Sequence, residues 1–190
     1  MSLKNNNIVT IDGPSASGKG SLAKALAKEL NFNLLDSGLL YRAYSYCFNN
    51  SKNHSFAKDL FSHLNIKSIN NEMHVFENGK DITSILRNED VAKSASKLSS
   101  FRETRENLIS FQRDLASNQG LVADGRDMGT VVFPDAGTKI FLVADAEERA
   151  KRRFLELQNA GQEVNMRDLI DDIRLRDEAD KEREISPLIP

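Results

Sequence analysis

Apolar residues along this chain follow two patterns, short unbroken runs and longer stretches with helical spacing. Unbroken runs predict buried strands, at 7–12, 32–36, 120–124 and 138–144. Helical spacing predicts helices, at 18–30, 37–48, 90–98, 101–117, 146–159 and 166–180. Because strands alternate with helices, we expect an α/β fold in which helices cover a parallel sheet on both faces, giving three layers.

Two of the predicted helices carry a distinct apolar face. The face of the first consists of Leu22, Ala23, Leu26, Ala27 and Leu30. Leu108, Phe111 and Leu115 mark the buried face of the helix at 101–117. These faces are the expected contacts between helix and sheet.

The middle of the chain departs from this alternation. Between 63 and 81 a weak period of two runs through Ile66, Ile69, Met73 and Val75, and Asn78-Gly79 has the sequence of a tight turn. We expect a small antiparallel or mixed lobe here, inserted into the sheet domain.

Composition excludes several classes of protein. The chain has 190 residues, a net charge of -2 and 39% apolar residues, which favours a packed core and gives no polyanion-binding surface. A single cysteine, Cys47, suits a reducing compartment. No apolar run approaches the ~18 residues of a membrane span. We therefore expect a cytoplasmic protein with no nucleic-acid or membrane partner.

A glycine-rich segment between the first strand and the first helix predicts a phosphate site. Glycines permit a tight turn whose backbone amides converge on an anion at the helix N-terminus, and a lysine can reach the β- and γ-phosphates of ATP. The predicted ATP contacts are Gly13, Pro14, Ser15, Ala16, Ser17, Gly18, Lys19, Gly20 and Ser21. The hydroxyl residue follows the lysine by two positions instead of one, a variant expected in nucleoside monophosphate kinases.

Phosphoryl transfer from ATP implies Mg²⁺, which neutralises the moving charge. Ser21 is the best candidate ligand, either directly or through water. Asp124, at the end of the third predicted strand, is a second candidate of lower rank. A carboxylate that only caps the strand-loop junction is the alternative for Asp124.

Four arginines beside loops or helix ends are candidates for binding an acceptor phosphate, because a guanidinium stays protonated and binds phosphate in a bidentate fork. They are Arg42, Arg126, Arg176 and Arg183. Each alone would read as a surface charge, whereas together with the ATP cradle they favour transfer of a phosphoryl group to a phosphate.

With these motifs in place, the sequence resembles the bacterial cytidylate kinase family over essentially its whole length. The matching segments are 11–15 with 18–21, 35–38 with Tyr41-Arg42, 123–135, 147–150 with Arg152-Arg153, Arg176-Asp177, Asp180, Arg183 and 186–188. The segment at 125–135 is the most specific to the family.

The resemblance implies roles for individual residues around CMP or dCMP. Ser96, Arg105 and Asp127 match the positions that read the cytosine edge, and Asp180 matches the residue that holds the sugar hydroxyls. Arg42, Arg126 and Arg183 match the acceptor-phosphate contacts. Ser15 and Ser37 line the same pocket, and Tyr41 borders the sugar or base.

The resemblance also implies a division of the chain. The core comprises 1–62 and 99–190, the monophosphate-binding lobe 63–98, and a helical lid about 149–180. From the lid, Arg153 is expected to bind ATP. The residues expected to act in catalysis are Lys19, Arg126, Arg176 and Arg183. No general base is expected, since an acceptor phosphate is already ionised, and a monomer is expected.

Family members continue past the equivalent of Pro190 with a strand and a helix, so four parallel core strands are expected here. Two other functions stay open from the residues alone. One is a kinase for another monophosphate, such as uridylate or adenylate. The other is a P-loop switch that hydrolyses its nucleotide without a second substrate, against which the acceptor arginines argue.

Overall fold

The computed structural model describes residues 7–116, 119–159, 161 and 163–190. Its strands are β1 Ile8–Asp12, β2 Asn33–Asp36, β3 Asn65–Ile69, β4 Glu72–Glu77, β5 Lys80–Asp81, β6 Leu121–Gly125 and β7 Thr138–Phe141. Its helices are α1 Lys19–Leu30, α2 Ser37–Ser51, α3 His54–Ser62, α4 Thr83–Leu86, α5 Glu89–Leu98, α6 Arg102–Asp114, α7 Ala146–Asn159 and α8 Met166–Lys181. The predicted elements are all present, and their ends differ from the predicted ones by at most three residues.

A parallel sheet in the order β2-β6-β1-β7 forms the centre of the fold. This confirms the α/β fold and, within the described residues, the expected four core strands. Every residue of β1 is buried, because its strand lies inside the sheet with helices on both sides. The edge strand β7 is exposed at its first two residues.

Two hydrophobic clusters cover the two faces of this sheet. On one face, Val9 and Ile11 of β1 pack with Ala23 and Ala27 of α1. On the other, Leu35 of β2 belongs to a larger cluster with α2 and with Leu108 of α6, while Phe111 and Leu115 pack at its margin. The result is the three-layer arrangement that the sequence predicts.

One predicted apolar face is narrower than expected. Leu22 and Leu30 are 38% and 41% exposed, whereas Ala23 and Ala27 are fully buried. The two alanines let α1 approach the sheet closely, and this places the flanking leucines at the margin of the interface.

The inserted region forms a three-stranded antiparallel sheet, β3-β4-β5. Asn78 and Gly79 have φ of 50° and 81°, which confirms the predicted turn. A second turn of this kind, at Asn70 and Asn71, was missed although asparagine favours positive φ. Met73 and Val75 are buried in the larger cluster, so the small sheet packs onto the core.

Two helices, α3 and α4, were not predicted. Asn53 caps α3, since its side chain accepts hydrogen bonds from the amides of Ser55 and Phe56. None of the described helices is long and apolar enough to cross a membrane. The predicted end of the helix at 101–117, Ser117, lies outside the described residues, as do both neighbours of Gly161. The division into core, lobe and lid stays a prediction.

Candidate active site

Functional side chains collect where the parallel strands end. Asp36 of β2 and Asp124 of β6 are partners in register, and Asp12 at the end of β1 is the partner of Gly125. Ligands of open α/β sheets bind at the carboxyl ends of the strands. The glycine-rich segment follows β1 directly, so it lies at this edge.

The segment from Gly13 to Ser21 forms a tight cradle that passes into α1. A side chain at Gly13, whose φ is 147°, would place a Cβ 2.4 Å from the carbonyl oxygen of Leu142. Gly18 is the N-cap of α1 with φ of 92° and provides no side-chain cap. The first turn of α1 therefore keeps its amides available for an anion.

Lys19 is buried in the cradle, with only 5% of its surface exposed. Its Nζ donates a hydrogen bond to the carbonyl oxygen of Pro14 at 2.7 Å. Burial, followed by the positive charge of Arg126, lowers the pKa of Lys19 to about 7, although Asp124 opposes the shift. A bound phosphate would give this ammonium group a negatively charged partner.

The residues proposed for the metal fit Mg²⁺ that is held mainly by nucleotide. The described residues include no cluster of three or more His, Cys, Asp or Glu side chains suited to a metal. A Cβ on Gly20 would lie 3.5 Å from Oδ2 of Asp124, so this carboxylate faces the first turn of α1, where Ser21 follows. One carboxylate and one hydroxyl suit Mg²⁺, which keeps waters and binds substrate phosphates.

Asp124 has the environment of a functional carboxylate. Burial raises its pKa to about 6, Lys19 opposes the shift, and Asp36 adds to it. Among the described residues no backbone amide donates to its side chain, so the structure gives no support to the alternative that Asp124 is only a cap.

A pocket beside the cradle brings together every predicted acceptor residue except Ser15, which lies in the cradle. Its walls are formed by the helices α2, α5, α6 and α8 and by the segment after β6. It is lined by Ser37, Gly38, Tyr41, Arg42, Ala92, Ala95, Ser96, Ser99, Arg105, Gly125, Arg126, Asp127, Arg176, Asp180 and Arg183. Residues up to 146 positions apart in the chain, from Ser37 to Arg183, thus share one cavity.

One wall of the pocket carries a buried ion pair. Arg105 Nη1 and Asp127 Oδ2 are 2.7 Å apart, and their side chains are 8% and 6% exposed. Arg105 also donates from Nε to the carbonyl oxygen of Ser99 at 2.7 Å and lies over the ring of Tyr41, 5.6 Å from its centre. These contacts fix a fork of donors and a carboxylate side by side.

A second network joins α8 to the end of β6. Asp180 accepts from Arg126 Nε at 2.9 Å and lies 3.3 Å from Arg183 Nη1. Burial disfavours the charge of Arg126, but the carboxylates of Asp180, Asp124 and Asp177 together outweigh burial and raise the pKa of Arg126. Nε and Nη2 of Arg183 are buried without a partner among the described residues, so they are free to bind an anion.

Arg42 and Arg176 complete a group of cations around the pocket. Burial lowers the pKa of both, and a neighbouring arginine adds to each shift, Arg176 for Arg42 and Arg126 for Arg176. Arg42 donates to the carbonyl oxygen of Leu86 at 3.2 Å. Such crowding of buried positive charge favours a multiply charged anion.

The predicted ATP contact from the lid is not brought to the cradle in this structure. Arg153 of α7 pairs instead with Glu89 at the start of α5 and with Glu156. Its neighbour Arg149 is buried, pairs with Asp177 of α8, and donates to the carbonyl oxygen of Ser15 at 3.0 Å. Arg149 thus ties α7 and α8 to the cradle.

The predicted serines differ in their contacts. Ser37 Oγ donates to Oε1 of Gln112 at 2.7 Å, so this pocket residue is also fixed to α6. Ser15 Oγ is buried without a partner among the described residues. Ser96 lies in the pocket wall, one helical turn from Ala92.

Sequence reasoning missed three features of the site. Ser99 supports both Arg105 and Arg183, and Ala92 and Ala95 form a small face of α5 toward the pocket. Their i, i+3 spacing was a signal that could have been found. The third feature is Asp12, whose place directly before Gly13 was the only sequence signal.

Comparisons with known proteins agree on one family. The family model described as Cytidylate kinase matches residues 9–190. A cytidylate kinase of Pseudomonas putida (strain W619) is 46% identical over 191 residues, which cover 96% of this chain and 84% of that protein. Cytidylate kinase 2 of Haemophilus influenzae is 46% identical, in a match that covers 96% of this chain and 85% of that protein. The cytidylate kinase of Colwellia psychrerythraea is also 46% identical, and the match covers 96% of this chain and 84% of that protein.

Proposed function

This chain belongs to the cytidylate kinase family, and we propose that it transfers the γ-phosphoryl group of Mg·ATP to CMP or dCMP, giving ADP and CDP or dCDP. The observation that carries the proposal is the pocket beside the cradle, where a buried Arg105–Asp127 pair lines the same cavity as Arg42, Arg126, Arg176 and Arg183.

In the proposed reaction an oxygen of the acceptor phosphate forms a bond to the γ-phosphorus. The bond from that phosphorus to the β–γ bridging oxygen breaks, and ADP leaves with the electron pair. The acceptor phosphate is ionised near neutral pH, so no general base is needed. Catalysis then consists of alignment and stabilisation of charge.

The cradle would hold the donor. Amides of the first turn of α1 bind the phosphates, and Lys19 exchanges the carbonyl oxygen of Pro14 for a phosphate oxygen. Ser21 and Asp124 would hold Mg²⁺, which neutralises phosphate charge when bound. Arg176 supplies a further positive charge from α8.

The Arg105–Asp127 pair would select cytosine. A carboxylate accepts from the exocyclic amine, while the guanidinium donates to the ring nitrogen and carbonyl oxygen. Uracil presents the opposite pattern at these positions, with O4 facing a carboxylate. A polar site that cannot be satisfied by the wrong base discriminates strongly.

The remaining pocket residues would orient the sugar and phosphate. Arg42, Arg126 and Arg183 would bind the acceptor phosphate, and Asp180, which pairs with two of these arginines, would bind the sugar hydroxyls. Ser37 and Ser96 line the same cavity. We extend the proposal to a cytoplasmic monomer with lobe 63–98 and lid 149–180.

A panel of monophosphates tests the proposal. With ATP and Mg²⁺, turnover of CMP and dCMP should exceed that of UMP and AMP, measured as release of ADP and by chromatography of the diphosphate product. Omission of Mg²⁺ should abolish transfer. Faster turnover of UMP or AMP, or hydrolysis of ATP without a diphosphate product, would contradict it.

A further inference from the structure

Asp12 is a buried carboxylate that no step of the proposed transfer uses. It is the last residue of β1 and only 5% exposed. Its Oδ1 accepts from the amide of Met128 at 2.8 Å, and its Oδ2 accepts from the amide of Gly129 at 2.8 Å. Both oxygens thus hold one backbone segment that is 116 residues away in the chain.

The segment that Asp12 holds begins at Asp127. A π-helical turn spans Met128–Val132, and the amides of Val131 and Val132 donate to the carbonyl oxygen of Asp127 at 2.9 and 3.1 Å. Asp12 fixes the first two amides of this turn. The position of the Asp127 side chain, which pairs with Arg105, therefore follows from a turn anchored on β1.

The contact leaves almost no room for movement. A Cβ on Gly129 would lie 2.7 Å from Oγ1 of Thr10 and 3.3 Å from Oδ2 of Asp12. Glycine at this position lets the turn approach β1 closely enough for both hydrogen bonds. A shift of the turn would move Asp127 relative to Arg105.

The cost of keeping a carboxylate here indicates a need for both of its acceptors. Burial raises the pKa of Asp12, and the negative charge of Asp127 adds to the shift, while the amides of Gly129 and Met128 oppose it. Asparagine has the same shape but only one acceptor oxygen. It would satisfy one amide and turn an NH₂ group toward the other.

We infer that Asp12 is a positioning residue that determines base specificity, because it holds the backbone from which Asp127 reaches the cytosine edge. The inference rests on the proposed function. Since Asp12 also directly precedes the cradle, one side chain sets the distance between the donor cradle and the base-reading wall of the pocket.

Asp12→Asn tests the inference through selectivity. The amide group of asparagine leaves one of the two backbone amides without an acceptor, so the turn should shift and kcat/KM for CMP should fall about 10- to 100-fold. Transfer to UMP, which gains nothing from a well-placed Asp127, should fall much less, and KM for ATP should change less than about twofold. Asp114→Asn, at an exposed position of α6, is the matched control. It should leave the ratio of kcat/KM for CMP to that for UMP, and the KM for ATP, unchanged.

Gly129→Ala provides a second test that keeps the Asp12 carboxylate. The added methyl should displace the turn and lower the ratio of CMP to UMP turnover in the same way. Thr10→Ala removes the hydroxyl that the methyl meets, and this hydroxyl has no hydrogen-bond partner among the described residues. The double variant Thr10→Ala/Gly129→Ala should therefore recover part of the selectivity.

The outcomes separate the positioning role of Asp12 from the proposed kinase function. Equal losses for CMP and UMP in Asp12→Asn and Gly129→Ala, or no loss in either, would overturn the role of Asp12. If Asp12→Asn does not fold, Gly129→Ala and its double variant decide alone. Failure of the unmodified protein to phosphorylate CMP would instead overturn the proposed function.

Discussion

The donor cradle and the acceptor pocket lie side by side at one end of the sheet, but they differ in construction. The cradle is one continuous segment, 13–21, shaped by backbone conformation and by a lysine bonded within its own loop. The pocket draws side chains from α2, α5, α6, α8 and the segment after β6. ATP phosphates can therefore be recognised by local sequence, whereas the acceptor can be recognised only by a folded chain.

The two regions also differ in how their charges are balanced. In the pocket, Asp127 and Asp180 pair with three arginines at distances of 2.7 to 3.3 Å. In the cradle, Lys19 has carbonyl and hydroxyl oxygens as its hydrogen-bond partners. The pocket thus has fixed donors and acceptors that suit selection of a base. The cradle has a cation, Lys19, and no carboxylate among the described residues is bonded to it. This suits the binding of ATP phosphates, which many kinases share.

Lys19→Ala should have the largest effect and should not distinguish acceptors. Removing a positioned cation from the transferred phosphate costs about 10³-fold in kcat by analogy with other charge-stabilising groups. CMP, dCMP and UMP should lose the same factor in steady-state ADP release. Lys28→Ala, at an exposed position of the same helix, is the control. A loss confined to CMP would show that the two regions are not separable.

Asp127→Asn should have a smaller effect that depends on the base. We expect kcat/KM to fall about 10²-fold for CMP and dCMP and far less for UMP, since the carboxylate oxygen facing the amine is replaced. The unpaired Arg105 should also lower the free energy of unfolding, by about 3–5 kcal/mol if its charge stays buried. Urea titration measures this loss. Equal loss for all acceptors would contradict assignment of Asp127 to the base.

The pH dependence of stability should show the smallest effect and sharpen the contrast between the two charges. The pKa of Lys19 is lowered from 10.5 to about 7, so the unfolded chain binds more protons between these values. Stability should therefore rise with pH across this window through Lys19. The pKa of Asp124 is raised from 3.8 to about 6, so the folded chain binds more protons between these values. Stability should therefore fall through Asp124 as pH rises from about 4 to 6.

Lys19→Met isolates the cradle contribution to this pH dependence. The rise in unfolding free energy from about pH 7 to pH 10 should be smaller than in the unmodified protein by about 1 kcal/mol for each pH unit. Urea titrations at intervals over this range measure it. Asp127→Asn should retain the full rise. If the slope of unfolding free energy against pH is unchanged in Lys19→Met, burial does not lower the pKa of Lys19.

Much of the fold was predictable because its signals are local. The unbroken apolar runs at β1 and β6 reflect strands buried on both faces, and the spacing in α7 predicts its ends correctly. Helix α3 was missed because it has only nine residues, although Phe56, Ala57, Leu60 and Phe61 have helical spacing and Asn53 is a good N-cap. Leu22 and Leu30 were predicted on the correct face of α1, but they lie at the margin of its contact with the sheet. The periodicity of a sequence does not show how closely a helix packs.

Site residues were predicted in the same uneven way. The cradle and the acceptor arginines followed from their own chemistry, whereas the base and sugar contacts followed from resemblance to a family. The pocket brings the arginines and these contacts together. Arg153 was expected at ATP, and the structure places it on Glu89. No pattern along the chain indicates which of several nearby carboxylates an arginine will meet.

The sequence by itself determined that this protein has a parallel α/β core with a phosphate cradle after its first strand. These features depend on backbone preferences and on burial within a few consecutive residues. Only the tertiary structure decided which charges pair, how Asp12 anchors the turn that carries Asp127, and how far the acceptor wall lies from the cradle. Each of these depends on contacts between distant segments, where a shift below an ångström changes the hydrogen bonds that are formed.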